Sequence, residues 1–438
     1  MTMSADRQIE AARKLINLFA DALNVDGQVQ LWDGELYSLG EVRESPFIIK
    51  LSSPGVIGNL IRRPKFDTLI QHYARSEIDF DGISLIEFGH RFNDAHTRRK
   101  MRAISKSGIV KSLIPFLTAG LFEADKASED FGFKGEETGT VQSRRDNKEF
   151  VQFHYDLSNE FYQLFLDQNM QYSCAYFKDW SNDLAQAQAD KLEIICRKLR
   201  LKSGERLLDI GCGWGGLICY AAKNFGVLAH GVTLSDEQFH FARERINELG
   251  LQERVTITFQ DYGTLEGKFD KIASIGMYEH IGLANIPAYM KKVRQLLAKD
   301  GLFLNHAIAR RAKKKKRLSF RTRPEKRAIA KYIFPGGELD NIGHSLQEME
   351  KAGFEVQDVE ALREHYAMTT RLWYQRLAEN ADQAIANVGP EKYRIWLAYL
   401  AGVSLAFSRG SLLLFQTVAS FTPKGDAPLP PTRSDLYK

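Results

Sequence analysis

A glycine-rich turn near the middle of this 438-residue chain constrains its fold more than any other segment. A β-prone run, Arg206–Ile210, leads into the turn, and a helical pattern over Leu217–Phe225 follows it. Between them the glycines stand at alternate positions: Gly211, Gly213 and Gly215. Such glycines let the backbone turn tightly and lie flat against a ligand, close to a helix N-terminus. The turn therefore predicts a ligand site at the end of a sheet strand.

Strands and helices alternate from this turn to near the end of the chain. Further strands are predicted at Val227–Val232, Val255–Phe259, Lys271–Ile275, Leu302–Ile308, Phe354–Val359 and Ser411–Val418. Helices are predicted at Asp236–Leu249 (capped by Ser235), Ile286–Leu297, Tyr366–Ile385 and Glu391–Phe407. This order predicts an α/β fold with a doubly wound, mostly parallel, seven-stranded Rossmann-like sheet, which binds ligands at the carboxyl ends of its strands.

The length of the chain predicts two domains rather than one. Residues 1–122 mix short helical and strand-like runs, which predicts a smaller α+β N-terminal accessory domain. Residues 123–146 are polar and predict a linker, and residues 147–422 form the predicted catalytic domain. Residues 423–438 contain four prolines and predict a disordered tail.

The glycine spacing distinguishes between nucleotide cofactors. A dinucleotide site has the spacing G-x-G-x-x-G and an acid at the end of the second strand. Here the spacing is G-x-G-x-G, and the second strand ends Gly231–Ser235 without an acid. The pattern favours S-adenosylmethionine (SAM) over NAD or FAD, with a purely structural turn as the alternative. Asp261 closes the third strand, where a carboxylate can accept the adenine amino hydrogen.

Cysteine usage and hydropathy exclude several other classes. The four cysteines form no C-x-x-C pair, so we expect no structural metal site and reduced thiols, as in a cytoplasmic protein. The most apolar stretch, residues 398–421, is interrupted by Ser408, Arg409 and Gly410, so we expect no membrane-spanning segment.

Several motifs, in the same order along the chain, resemble the cyclopropane-fatty-acyl-phospholipid synthase family. They cover about residues 147–420 and comprise His154–Tyr162, Met170–Phe177, Gly211–Gly215, Thr233–Gln238, Ser274–Gly282, Tyr332–Gly336 and His365–Tyr366. The resemblance implies transfer of a methyl group from SAM to the cis double bond of an unsaturated phospholipid acyl chain, through a carbocation. The most direct product is a cyclopropane ring.

The resemblance also implies site residues and a bound bicarbonate ion that takes up the departing proton. The positions matching the family's bicarbonate site are Cys174, Glu279, His306, Ile308 (through its backbone) and Tyr366. The positions for the cofactor are Tyr172 and Ser173 at the methionine end, Thr233 and Gln238 at the ribose, and Asp261 and Tyr262 at the adenine, with Asp209, Gly211, Gly213 and Gly215 in the turn.

Each catalytic candidate also has a structural interpretation. Cys174 could be a small buried apolar residue, and Glu279 could cap the helix that follows it. His306 could be a satisfied core histidine, and Asn305 and Ala307 beside it depart from the family's usual flanks. Tyr366 could be a core residue of its helix.

The basic residues are concentrated in one segment. Arg310–Lys331 holds twelve Lys or Arg and one acid, although the net charge of the whole chain is only +5. A nucleic-acid-binding role is disfavoured because no nucleic-acid-binding module accompanies the segment. A solvent-exposed loop without a binding role is the structural alternative. Apolar residues interleaved with the charges favour an anionic membrane surface.

These observations predict a cytoplasmic enzyme that attaches peripherally to the inner membrane. The N-terminal domain would dock to lipid or pair two protomers as a homodimer. Two alternatives stay open: the same transfer giving a methylene- or methyl-branched chain, and a SAM-dependent methyltransferase for a small metabolite. A non-catalytic lipid-binding protein with a vestigial SAM fold is a third reading.

Overall fold

The computed structural model describes residues 2–40, 47–92, 99–100, 106–117, 119, 157–312, 329, 331–421 and 429–437. The predicted linker 123–146, residues 154–156 of the first family motif and the lysine run 313–316 lie outside the described residues. The chain divides into two compact units. Unit 1 takes Met1–Gly132, Arg321–Tyr332 and Ala384–Leu405, and unit 2 takes Phe133–Phe320, Ile333–Gln383 and Ala406–Lys438.

Unit 1 is built on a small mixed sheet. Its strands are β1 (Gly27–Gln30), β2 (Leu36–Ser38), β3 (Phe47–Leu51) and β4 (Ile78–Asp81), in the order β2-β1-β3-β4. In the described part of residues 1–122, the helices are α1 (Thr2–Leu23), α2 (Pro54–Arg62), α3 (Phe66–Ala74), α4 (Leu85–Phe92) and α5 (Lys106–Leu113). Buried residues of α1 and the sheet share one apolar core. The predicted α+β character of the N-terminal region is confirmed.

Unit 2 contains the predicted seven-stranded sheet. The strands are β5 (Arg206–Ile210), β6 (Leu228–Thr233), β7 (Val255–Phe259), β8 (Phe269–Ile275), β9 (Leu297–Arg310), β10 (Glu355–Ala361) and β11 (Leu412–Ser420). Their spatial order is β10-β11-β9-β8-β5-β6-β7. The pairs among β5 to β9 are parallel, whereas β11 pairs antiparallel with both β9 and β10. The order reverses between β5 and β8, which is where such sheets bind ligands.

Nine helices in the described residues follow α5. They are α6 (Asn159–Gln163), α7 (Leu184–Lys198), α8 (Gly216–Phe225), α9 (Asp236–Glu248), α10 (Ile286–Leu296), α11 (Ile342–Lys351), α12 (Arg363–Glu379), α13 (Ala381–Val388) and α14 (Pro390–Ser408). Successive strand residues Leu207 and Leu208 belong to two different apolar clusters. Because neighbouring side chains on a strand point to opposite faces, the sheet is covered by an apolar core on both sides.

Two predictions about local structure were wrong. The single helix expected over 366–385 is divided into α12 and α13, because Asn380 ends α12. Its side-chain amide donates to the carbonyls of Leu164 (3.1 Å) and Arg376 (2.9 Å). The described part of the predicted tail, residues 429–437, is also more ordered than expected. Residues 434–436 form a 3-10 turn with Leu436 buried, and Asp435 pairs with Arg200 at 3.0 Å.

The predicted limits of the domains stay a prediction, and the compact units divide the chain differently. Ala384–Leu405, which the prediction assigns to the catalytic domain, packs within unit 1. Arg394 explains this placement, because its guanidinium donates to the carbonyls of Tyr73 (2.6 Å) and Ile78 (3.1 Å) and pairs with Asp79 at 2.9 Å. Such long-range pairing is invisible in the local pattern of the sequence.

Candidate functional site

A cavity opens at the carboxyl ends of β5, β6 and β8 in unit 2. Nine of the ten residues predicted to bind the cofactor line it: Tyr172, Ser173, Asp209, Gly211, Gly213, Thr233, Gln238, Asp261 and Tyr262. They come from four separate segments of the chain, and the fold brings them together. Their individual contacts with a bound cofactor stay a prediction.

The glycine turn has the backbone conformation that its sequence predicts. Gly211 and Gly213 have φ angles of +78° and +54°, which side chains other than glycine rarely tolerate. The N–H groups of Gly211 and Cys212 both donate to the carbonyl of Val232 at 3.0 Å, which ties the turn to the end of β6. A Cβ added to Gly213 would meet no atom within 4 Å. The turn thus leaves open space where a ligand can approach the backbone.

Gly215 differs from the other two glycines. It precedes α8 with a φ of +78° and is not among the residues that line the cavity. A Cβ at this position would lie 3.0 Å from the Cβ of Ala242 in α9. Its predicted place at the cofactor stays a prediction. The absence of a side chain at Gly215 allows α8 and α9 to pack closely, and Trp214 lines the cavity instead.

A buried lysine and a buried aspartate face the cavity together. Burial raises the pKa of Asp209 to about 7, and Asp209 Oδ1 has no hydrogen-bond partner among the described residues. Burial lowers the pKa of Lys191 to about 8. The Lys191 ammonium donates to Ser173 Oγ at 3.0 Å and to Gln171 Oε1. A cation brought next to Asp209 would favour its ionised form, which suits the sulfonium of SAM.

The ribose and adenine candidates are held by local hydrogen bonds. Thr233 Oγ1 donates to Gln238 Oε1 at 2.8 Å, so these two side chains meet at the start of α9. Ser235 caps that helix as predicted, because its hydroxyl accepts from Gln238 N. Asp261 Oδ1 accepts from Gly263 N at 2.6 Å, which orients the carboxylate at the end of β7.

Three of the predicted catalytic positions lie together at the end of β8 and β9. Glu279 follows β8 in a 3-10 turn, and its Oε1 accepts the backbone N–H of Ile308 at 2.5 Å. The N–H predicted to hold an anion therefore already binds a carboxylate. Burial raises the pKa of Glu279 to about 7. Glu279 Oε2 and His306 Nε2 are both buried without a hydrogen-bond partner among the described residues.

His306 lies on β9 beside these groups and is only 1% exposed. Burial, together with the positive charges of Lys191 and Lys198, holds the pKa of its imidazole well below the usual range. Its Nδ1 is hydrogen-bonded to the side-chain amide of Gln416 at 3.0 Å. The ring is therefore neutral, and only Nε2 is left for a ligand.

Cys174 lies in the loop that precedes α7, and Tyr366 lies on α12. Cys174 is fully buried, and burial raises the pKa of its thiol above the usual range, so it is not a nucleophile. Its Sγ lies 3.8 Å from the carbonyl of Leu362, and the next residue is tied to Thr369 of α12. Tyr366, on the same helix, packs against Phe407 with ring centroids 4.6 Å apart. None of the five predicted catalytic residues lines the cofactor cavity itself, although Ser173 and His280 beside them do.

Sequence reasoning missed several residues that line the cavity or support it. Lys191, Gln171, Trp214 and His280 all line it. Gln171 and His280 lie inside motifs that were recognised, so their position there was an available signal. Lys191 is an ordinary-looking lysine in the middle of α7, and only its complete burial marks it.

Within the described ranges, no group of three or more His, Cys, Asp or Glu side chains is arranged to hold a metal ion. No helix in those ranges combines the length and the apolar composition needed to cross a bilayer.

Comparison with known proteins agrees with this geometry. Residues 142–417 match the family model described as mycolic acid cyclopropane synthetase, which is more than half of the chain. The chain belongs to that family. The resemblance to cyclopropane synthases noted in the sequence is thereby confirmed. The protein is a SAM-dependent methyltransferase, and SAM is its methyl donor.

Individual relatives and structures support the same placement. A "Probable fatty acid methyltransferase" of Pseudomonas putida is 35% identical over 95% of this chain and 98% of its own length. The cyclopropane-fatty-acyl-phospholipid synthase of Escherichia coli K12 is 40% identical over 61% of this chain and 66% of its own length. The crystal structure of mycolic acid cyclopropane synthase CmaA1 with SAH and CTAB has a TM-score of 0.60, is 32% identical, and covers 64% of this chain and 100% of its own.

Proposed function

We propose that this protein transfers the methyl group of SAM to the cis double bond of an unsaturated phospholipid acyl chain and converts it to a cyclopropane ring. The observation that carries the proposal is the pair of unpartnered buried atoms, Glu279 Oε2 and His306 Nε2, in the fold of a cyclopropane synthase. Buried polar atoms without partners are costly in a packed core, so their presence favours a ligand that contacts them. The name of the E. coli relative supports a phospholipid substrate.

The chemistry requires a site that tolerates a carbocation. An alkene is a weak nucleophile, so the methyl donor must be held close to the double bond and in line with it. Attack forms a bond between the methyl carbon and one alkene carbon, breaks the sulfur–methyl bond and leaves a cation on the other alkene carbon. Aromatic faces stabilise such a charge without reacting with it. Tyr172 lines the cavity, and its ring centroid lies 5.1 Å from that of Trp373. The ring of Trp373 in turn lies 6.0 Å from that of Tyr366, also between centroids.

Ring closure also needs a base for the proton that the added methyl group loses. Glu279 Oε2 and His306 Nε2 fit a small oxyanion, because a neutral imidazole N–H and a protonated carboxyl can both donate to it. Cys174 and Tyr366 are the further candidates for holding it, and Ile308 N would contribute only if Glu279 released it. Bicarbonate bound there would supply the base.

A branched product is the second candidate. The relative that matches nearly the whole chain is named as a fatty acid methyltransferase rather than as a cyclopropane synthase. If a hydride shift moved the cation onto the carbon that bears the new methyl group, loss of a proton from that methyl group would give a methylene branch.

The experiment is incubation of the protein with SAM and vesicles of a monounsaturated phosphatidylglycerol, followed by mass spectrometry of the acyl chains. We expect the mass gain of one CH₂ group and a fragmentation pattern typical of a ring. Fragmentation at a new double bond would favour the branched product instead. Methylation of a water-soluble acceptor without vesicles, together with no mass gain on any lipid, would overturn both lipid proposals.

We also propose that the basic segment Arg310–Lys331 docks the enzyme to an anionic membrane, so that it is cytoplasmic and peripherally attached. Of its cations, Arg310 and Arg311 bind backbone carbonyls of unit 2, at Leu339 (3.0 Å) and Gly410 (2.7 Å). These two contacts anchor the start of the segment.

Vesicle sedimentation tests the docking proposal. A triple variant with Gln at positions 313–315 should lose binding to anionic vesicles, whereas a triple variant of the exposed Lys223, Lys291 and Lys299 should retain it. Equal loss in both would refute a specific docking segment. We also propose that the protein forms a homodimer through its N-terminal domain, which analytical ultracentrifugation would test.

A further inference from the structure

His306 faces a glutamine on the neighbouring antiparallel strand. The register of β9 against β11 places Gln416 directly opposite His306. Both side chains are buried, and Gln416 Nε2 lies 3.0 Å from His306 Nδ1. Residues opposite each other on paired strands are close enough for such contacts, and a slip of one residue would send the two side chains to opposite faces. The pair is therefore set by the fold.

A buried lysine decides which way the glutamine amide points. Lys198, at the end of α7, is 1% exposed, and its ammonium donates to Gln416 Oε1 at 2.6 Å. Lys198 also forms an ion pair with Glu360 on β10. An ammonium group has three donors and no acceptor, so the amide atom facing it must be the oxygen. The NH₂ group of Gln416 must then face His306.

The orientation of the amide decides the tautomer of the histidine. An NH₂ group can only donate, so His306 Nδ1 must accept and cannot carry a proton. In a neutral imidazole the single proton is then on Nε2. We propose that Lys198 and Gln416 are positioning residues that hold His306 in the Nε2–H tautomer, so that the ring acts as a hydrogen-bond donor to the reaction site and not as a base.

This inference extends the proposed function, since it assigns His306 the donor role that an oxyanion beside Glu279 would need. The physical alternative is the Nδ1–H tautomer of His306. Without Lys198, the Gln416 amide could rotate by half a turn and present its oxygen to Nδ1, which would place the proton there. The tautomer can be measured without lipid or SAM, so the two proposals fail separately.

The direct test is ¹⁵N NMR of protein labelled at histidine, with the His306 signals identified by their loss in His306→Gln. In the wild-type protein we expect a pyridine-type shift for Nδ1 and a pyrrole-type shift for Nε2. Gln416→Glu should give a pyrrole-type Nδ1, because a carboxylate facing it only accepts. Lys198→Met should give a mixture of tautomers. Lys271→Met, which removes another buried lysine that pairs with Glu205, is the control and should leave the signals of His306 unchanged.

Kinetics separate a positioning role from a general loss of structure. Gln416→Glu should lower kcat by about tenfold to a hundredfold, as is typical when the partner that orients a functional imidazole is lost, and leave the KM for SAM unchanged. A wild-type Nδ1–H tautomer, or signals of His306 that do not change in Gln416→Glu, would overturn the inference. The expected tautomer in a protein that methylates no lipid would refute the proposed function alone.

Discussion

Replacing Glu279 by glutamine should stabilise the protein above neutral pH while it impairs the reaction. The carboxyl group has a pKa of 4.5 in an exposed reference state and of about 7 in the fold, because burial disfavours its charged form. Between these values the folded state holds a proton that the unfolded state has released, so stability falls as the pH rises from 4.5 to 7. Above pH 7 the full cost is about 3 kcal/mol, from about 1.4 kcal/mol for each pH unit.

Glutamine cannot ionise, so the variant lacks this cost. Its side-chain oxygen can keep the hydrogen bond from Ile308 N, while its amide nitrogen takes the position of the unpartnered Oε2 at a cost of about 1 kcal/mol or more. We therefore expect the free energy of unfolding of Glu279→Gln, relative to that of the wild type, to be about 2 to 3 kcal/mol higher at pH 8 than at pH 5. Urea unfolding followed by circular dichroism at both pH values measures this difference.

Glu348→Gln is the matched control. Glu348 is as buried as Glu279 but is paired with Lys351 at 2.6 Å, so its loss should destabilise the protein at pH 8. A stability difference for Glu279→Gln that is the same at pH 5 and pH 8 would refute the reasoning about burial. Turnover should fall far more than SAM affinity, and equal loss of both would instead indicate a role in folding.

Three further outcomes are expected by isothermal titration with SAM. Gly213→Val should abolish binding because the valine side chain would enter the cavity. Gly250→Val is the control and should not abolish it, since Gly250 has a similar φ of +65° and no close neighbour. Unchanged affinity in Gly213→Val would contradict the assignment of the turn. Affinity for SAM should rise by up to about tenfold as the pH increases from 6 to 8, because Asp209 ionises near pH 7, and Asp209→Asn should abolish this dependence. Lys191→Met should weaken binding, since Ser173 loses its buried donor, and a dissociation constant within error of wild type would argue against this support.

The glycine turn and the alternation of strands and helices were sufficient to predict the sheet. Val255–Phe259 and Arg206–Ile210 agree with the structure at both ends, because short apolar runs bounded by turn residues carry a local signal. Lys191 was not predictable, but nine of the ten residues predicted to bind the cofactor do line the cavity. They lie at the carboxyl ends of strands or in motifs beside them, and the topology of a parallel sheet brings those ends together.

Long-range packing could not be predicted in the same way. The assignment of Ala384–Leu405 to unit 1 depends on contacts such as that of Arg394 with Tyr73, which are more than three hundred residues apart in the chain. The division of the helix at Asn380 likewise depends on a carbonyl at Leu164. Neither partner leaves a mark on the local pattern.

The amino-acid sequence alone was enough to predict the part of the site that faces the methyl donor, because a strand, a glycine turn and a helix in this order create a cofactor cavity in such a sheet. The state of the groups beside it was decided only by the tertiary structure. Burial sets the protonation of Asp209 and Glu279, and the register of two strands sets the partner of His306. Dielectric environment and cross-strand pairing depend on the whole fold, so a residue's identity does not reveal them.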